Sequence, residues 1–190
     1  ATYFVFTPSG RSMNGFGTQW CAWHSSSGSM AYAYIPYIPD AKGSCGMNFV
    51  NGSSDTYGHG YFDGFSIVGG HEYVEAQTDP FTSSGNYGWY DSGGAENADK
   101  CAWTFGTTYK LANGAYANMK LGARDFLIQR NLFHGASGDF CAVGKNLVGH
   151  ALPAARHAHR CTVNVDAQRD LVRKLTRRER RMIRVHLGPT

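Results

Sequence analysis

Apolar and polar positions along the chain change period several times, and each change predicts an element. Residues 2–8, TYFVFTP, form a run of aromatic and β-branched side chains closed by Pro8, Ser9 and Gly10, which predicts a strand ending in a turn. Farther on, Ala31, Tyr32, Ala33, Tyr34 and Ile35 alternate as a half-buried strand does, and Pro36 and Pro39 predict a place at a sheet edge. Residues 45–64 are broken up by Gly and Ser. Residues 65–79, FSIVGGHEYVEAQTD, carry the one clear helical pattern of this part of the chain, with Pro80 as its stop. The HEYVE portion is expected to begin after Gly69 and Gly70, which allow close backbone approach. Residues 83–103 are turn-rich. Residues 119–133 mix strand and helix signals, and a strand is predicted over 124–131.

From Lys145 onward the pattern changes character. No aromatic residue lies beyond Phe140, and only Gly149 and Gly188 of the 24 glycines lie beyond Lys145. Leu171, Leu175, Met182 and Ile183 recur at roughly helical spacing among arginines, which reads as a basic amphipathic helix. The charge divides at the same place, with 11 basic and 3 acidic residues from Lys145 on against 7 basic and 11 acidic before it. Residues 1–144 are thus read as one domain and 145–190 as a basic tail, helical or disordered. Such a tail is a solvated arm, a polyanion contact on nucleic acid or an anionic membrane, or an appended piece without a selected role.

All 11 Tyr, 11 Phe and 4 Trp fall in the first 144 residues, and the chain as a whole is only 17% charged, so this part has the composition of a loop-rich, secreted globular domain. The chain is long enough to bury a core without obligatory metal or disulfide help. No apolar run is long enough to span a bilayer, and no charged-then-apolar leader opens the sequence, which therefore reads as a processed or trimmed product. The five cysteines show no CxxC spacing of the structural zinc kind. In an exported chain, Cys21 with Cys45 and Cys101 with Cys141 are the expected disulfides, each pair lying within a coherent segment, with Cys161 left over.

The chemistry concentrates in HEYVE. On a helix, His71 and Glu75 share a face and both reach one cation, while Glu72 sits beside it, placed to accept a proton from water that the cation polarises. This is the HExxH arrangement of zinc hydrolases with the second His exchanged for Glu. An anionic ligand neutralises more of the cation's charge and leaves the water less acidic, which predicts a slower hydrolase or a structural site. The same five residues also occur on ordinary helices whose acids face solvent. Asp79 falls on the same stripe at i+8, as a calcium ligand or a cap for the turn at Pro80. Asp91, Glu96 and Asp99, just before Cys101, can supply a third ligand from an anchored loop.

Other groups carry weaker signals. His24, between Trp23 and three serines, reads as a loop histidine, since no G-x-S-x-G elbow supports a Ser/His pair. His59 is a candidate ligand or electrophile. Trp89 and Tyr90, with Tyr87, can form a peptide or carbohydrate platform or simply pack. His150, His157, His159 and Cys161 lie close in sequence at irregular spacing, more in keeping with basic composition than with a metal cluster.

The segments YFVFTPSG, WCAWHSSS, GSCGMNFV, His71-Glu72-Tyr73-Val74-Glu75, Gly88-Trp89-Tyr90, Glu96-Asn97-Ala98-Asp99-Lys100-Cys101 and LGARDFLIQRN stand in one order over residues 2–142. In this order they resemble the secreted phosphate-induced (EXORDIUM-type) family and its microbial, zincin-like relatives. The resemblance implies an extracellular α+β domain of zincin-like build, with a small mixed sheet, an active-site helix and long Gly-rich loops. It also implies a Zn2+ held by His71, Glu75 and either Glu96, the favoured third ligand, or Asp99, with the other acid orienting His71, and Glu72 as general base. Trp89 and Tyr90 would lie on the substrate side. The expected activity is peptide hydrolysis; the alternative is a non-catalytic extracellular or wall-associated protein with a structural or vestigial metal. Family likeness at the level of fold does not decide between them.

Overall fold

The computed structural model describes residues 1–52, 60–82 and 87–143, all within one compact unit. The tail from Lys145, the histidines at 150, 157 and 159, Cys161 and His59 lie outside the described residues. The architecture is α+β, with a small mixed sheet, one long helix and three two-stranded hairpins.

The sheet is built from β1 (Thr2–Phe6), β2 (Trp23–Ser27) and β3 (Met30–Ile35) in the order β1-β3-β2. Strand β3 runs parallel to β1 and antiparallel to β2, to which a two-residue Gly28-Ser29 turn joins it. Gly28 has φ +57°, the conformation that such a tight hairpin needs and that glycine adopts without strain. The edge position expected for β3 is corrected here: it is the central strand. Pro36 follows the last paired residue, Ile35, so its missing N–H costs no ladder bond.

Helix α1 (Asp63–Thr78) lies against this sheet. It begins eight residues before His71, so the start expected after Gly69 and Gly70 is corrected: both glycines are inside the helix. Gly64 accounts for the close packing at its first turn, since a Cβ there would lie 2.3 Å from the Cys45 carbonyl oxygen and 2.3 Å from Ile38 Cγ2. The buried positions of α1 are Gly64, Ile67, Val68, Glu72, Glu75 and Ala76, one stripe at helical spacing. Val68 joins Ala22, Ala33, Ile35, Ile38 and Cys45 in the apolar core. The stripe therefore starts hydrophobic and turns acidic one turn later. Buried carboxylates are costly unless paired, so the partners of Glu72 and Glu75 define the region of interest.

Beyond α1, a 3-10 turn (Asp99–Cys101) precedes the hairpins β4 (Tyr109–Lys110) with β5 (Tyr116–Ala117), β6 (Met119–Leu121) with β7 (Arg124–Phe126), and β8 (Asn131–Gly135) with β9 (Gly138–Ala142). The strand expected over 124–131 is two strand ends with an unpaired stretch between them. There the Asn118 side chain takes both the Ile128 N–H and its C=O, Ser66 Oγ donates to the Leu127 carbonyl, and the Arg130 N–H donates to the Thr104 carbonyl. Side chains and loop carbonyls thus satisfy groups a neighbouring strand would otherwise pair. Both expected disulfides are formed: Cys21–Cys45, with Cα atoms 5.4 Å apart, and Cys101–Cys141, 5.7 Å apart. No described helix is long and apolar enough to cross a membrane.

Candidate metal centre

Strand pairing sets His24 opposite Ala33, a fully buried residue of the helix-facing core, so His24 projects toward α1. There it meets the acidic end of the helix stripe. His24 Nδ1 lies 3.3 Å from Glu72 Oε2 and 3.6 Å from Glu75 Oε2, and its Nε2 lies 3.2 Å from the Asp79 carbonyl oxygen and 3.4 Å from Glu96 Oε1. On the other side of Glu75, His71 Nε2 lies 3.0 Å from Glu75 Oε1 and 3.4 Å from Asp99 Oδ1. The two oxygens of Glu75 therefore face two different imidazoles. The turn at Glu96–Cys101 is pinned to the same carboxylate, because the Asp99 N–H donates to Glu75 Oε1 and the Glu96 N–H donates to Asp99 Oδ2.

Burial by itself would push the His24 imidazole down, but hydrogen bonds to Glu72 and Glu96 outweigh it and raise its pKa to about 10. Burial raises Glu75, and its pairing with His71 pulls part of that back. Hydrogen bonding to His71 lowers Asp99. These directions fix a pH dependence for the cation-free protein. A raised imidazole pKa stabilises the fold fully below the ordinary value of 6.5 and loses that contribution as pH rises toward about 10. The raised Glu75 acts in the same sense, and the lowered Asp99 costs stability only at acid pH. With chelator present, the thermal midpoint is expected to fall steadily from pH 6.5 to 10, and His24→Gln is expected to lessen that slope, the remainder coming from His71, which burial lowers but its bonds to Asp99 and Glu75 raise to about 10. A midpoint level across this interval would refute the buried His24 ion pairs.

Gln129 completes the surroundings. Its Oε1 accepts the Trp103 N–H at 3.1 Å and its Nε2 donates to the Ala98 carbonyl at 2.9 Å, which fixes the amide's orientation. Nε2 also faces His71 Nδ1 at 3.2 Å; a neutral His71 accepts that amide proton at Nδ1 and carries its own on Nε2, toward Glu75 and Asp99. Trp103 has φ +58°, a left-handed backbone that a bulky residue seldom adopts, and it is held by this bond and by its ring against Phe49.

A cleft of about 440 Å3 opens beside the cluster, lined among others by His71, Glu72, Asp99, Gln129, Trp20 and Trp103. This lies within the usual size range of small-molecule and peptide pockets. Among the described residues, two groupings bring ligand atoms within 4.8 Å of one another: His71, Glu72 and Glu75, and His24, Glu75 and Glu96. Imidazole nitrogen with carboxylate oxygen is a donor set that suits zinc and other divalent first-row cations. Glu96 Oε1 is in addition buried, with His24 Nε2 3.4 Å away. The donor types and this buried oxygen fit a cation.

The structure thus gathers His71, Glu72, Glu75, Glu96 and Asp99, but it divides the two candidate third ligands: Asp99 meets His71 and Glu96 meets His24. Asp91 is elsewhere. It pairs with Lys100 and accepts the Gly93 and Ala95 N–H groups, which hold its pKa down to about 2. Asp79 is buried and accepts the Gly88 N–H at 2.7 Å, a turn-bracing role, and it belongs to neither grouping. Trp89 packs on His134 and Tyr90 on Tyr87, none of them among the residues that line the cleft. The tryptophans that line the cleft are Trp20 and Trp103. Two central residues, His24 and Gln129, were not singled out as site residues by the sequence. No family model matches the chain, and comparison with curated proteins and with solved structures finds no match.

Proposed function

We propose that this chain is a secreted, zincin-like hydrolase that uses a divalent cation, zinc in the first place, to cleave peptide bonds. The observation that carries the reading is Glu72 lining the cleft, beside an imidazole and a carboxylate one helical turn apart. His71 and Glu75, with Asp99, would hold the cation. A cation so placed supplies Lewis acidity toward the carbonyl and the attacking water.

The remaining work falls to the chain's own side chains. Glu72 takes a proton from the attacking water and delivers it to the leaving amine. His24 holds Glu72 by its Oε2 and so fixes the carboxylate's orientation. Trp20 and Trp103 offer apolar walls against which an extended substrate lies and excludes water. The motif order resembling the secreted phosphate-induced family, and the two disulfides, support an extracellular setting.

One observation favours the non-catalytic alternative. For His71 to bind a cation through Nε2, its proton must move to Nδ1, where the Gln129 amide now presents an N–H; the amide must turn first. Metal analysis of purified full-length protein, reconstituted with zinc and washed, separates the two. The hydrolase reading expects zinc that is retained by the wild type and lost in Glu75→Ala, together with zinc-dependent cleavage of a mixed peptide library. Protein that retains no cation would leave the cluster as an ion-pair network and refute the enzyme.

A further inference from the structure

The geometry points to a second cation subsite, formed by His24, Glu75 and Glu96, so that the cluster is a two-cation centre bridged by Glu75. The inference rests on the cation-dependent reading above and specifies its metal stoichiometry.

Three observations converge on it. Glu75 belongs to both groupings of ligand atoms, and its oxygens point in opposite senses, Oε1 toward His71 at 3.0 Å and Oε2 toward His24 at 3.6 Å. A carboxylate with one oxygen toward each of two nitrogen ligands has the disposition of a bridge in two-metal sites. Second, Glu96 Oε1 is buried and faces His24 Nε2 at 3.4 Å, a positive partner only while His24 is protonated. A buried carboxylate oxygen without a positive partner is costly, and a cation beside a neutral His24 supplies that partner. Third, four carboxylates, Glu72, Glu75, Glu96 and Asp99, surround two imidazoles. Imidazoles that bind cations are neutral, so one divalent cation leaves half of the carboxylate charge unmatched and two match all of it. His24 also has the support that metal-bound histidines commonly show, since its Nε2 faces the Asp79 backbone carbonyl while Nδ1 faces Glu72 and Glu75.

The second subsite lies under the helix, and His24 and Glu96 do not line the cleft, whereas His71, Glu72 and Asp99 do. Its role is therefore to set the charge and orientation of Glu75 and Glu72 from behind, with the first subsite facing substrate.

The test is a count. Full-length protein stripped with chelator is titrated with Zn2+ and examined by native mass spectrometry, and a second sample is loaded with Mn2+ for electron paramagnetic resonance. Two zinc ions per wild-type chain are expected, falling to one in His24→Ala and in Glu96→Gln, and the Mn2+ sample is expected to show exchange coupling between neighbouring ions. A count of one in the wild type overturns the second subsite and leaves the hydrolase reading standing; a count of zero overturns both. Two ions retained in both variants, or two Mn2+ ions without coupling, would place the second ion elsewhere, such as among the histidines of residues 150–159, and overturn the assignment to His24. The wild-type count and spectrum decide the matter even if a variant fails to fold.

Discussion

Glu72→Gln is expected to lower the turnover number for peptide cleavage by about 10^2–10^4-fold, the usual contribution of a positioned proton acceptor, while zinc content stays at the wild-type level. Glutamine keeps the length and shape of glutamate, so the packing of the stripe Gly64, Ile67, Val68, Glu72, Glu75, Ala76 is preserved. What it loses is basicity and one charge-assisted bond to His24 Nδ1. The two measurements, turnover and metal content on the same preparation, give different answers for the different roles of this residue. Lost turnover with retained zinc identifies Glu72 as the base. Lost zinc identifies it as a ligand, since it also belongs to the His71 grouping. Unchanged turnover would remove Glu72 from the chemistry and sink the mechanism proposed above.

The sequence made the helix legible because Ile67, Val68 and Ala76 mark one face and Pro80 marks the end. The same spacing held a sharper message. Four residues beyond Val68 is Glu72, and eight beyond Ile67 is Glu75, so the apolar stripe itself places both glutamates toward the core. A solvent-facing acidic helix was thus already excluded by Ile67 and Val68. The strand carrying His24 could be recognised from Trp23 and its serines, but its facing could not. Which side of β2 turns to the helix depends on the pairing of His24 with Ala33, a long-range register that local alternation does not encode.

Gln129 was hidden for a different reason. It lies in the stretch between β7 and β8 whose backbone is satisfied by Asn118, Ser66 and Thr104, and none of these bonds leaves a periodic trace. The division of labour between Glu96 and Asp99 was equally inaccessible. Both stand in one short motif, and only the tight turn, closed by the Glu96 N–H on Asp99 Oδ2, sends one carboxylate to each imidazole. The cysteine pairing was readable because each pair closes a local segment.

Replacing Cys101 and Cys141 together by serine is expected to cost about 4 kcal/mol of stability, the chain-entropy value for a loop of this length, and to weaken zinc binding in protein that is still folded. The bridge spans 40 residues and joins the turn after Asp99 to the last strand, β9. Other bonds that hold that turn in register include Asn97 to the Leu132 carbonyl, Gln129 to the Ala98 carbonyl, and the Asp99 N–H to Glu75. Without the bridge, Glu96 and Asp99 sample more positions, and a loss of about 10–100-fold in zinc affinity follows, as for removal of groups that orient metal ligands. The Cys21–Cys45 bridge, spanning 24 residues, serves as the comparison. Its removal is expected to cost about 3 kcal/mol, yet it leaves the Glu96–Asp99 turn fastened to β9. Denaturant unfolding gives the stability of each double variant, and zinc titration below the onset of unfolding gives the affinity. Equal zinc affinity in the wild type and the Cys101/Cys141 variant would show that neither Glu96 nor Asp99 bears on the cation, and the ligand set would contract to His71, Glu75 and the residues of α1 and β2.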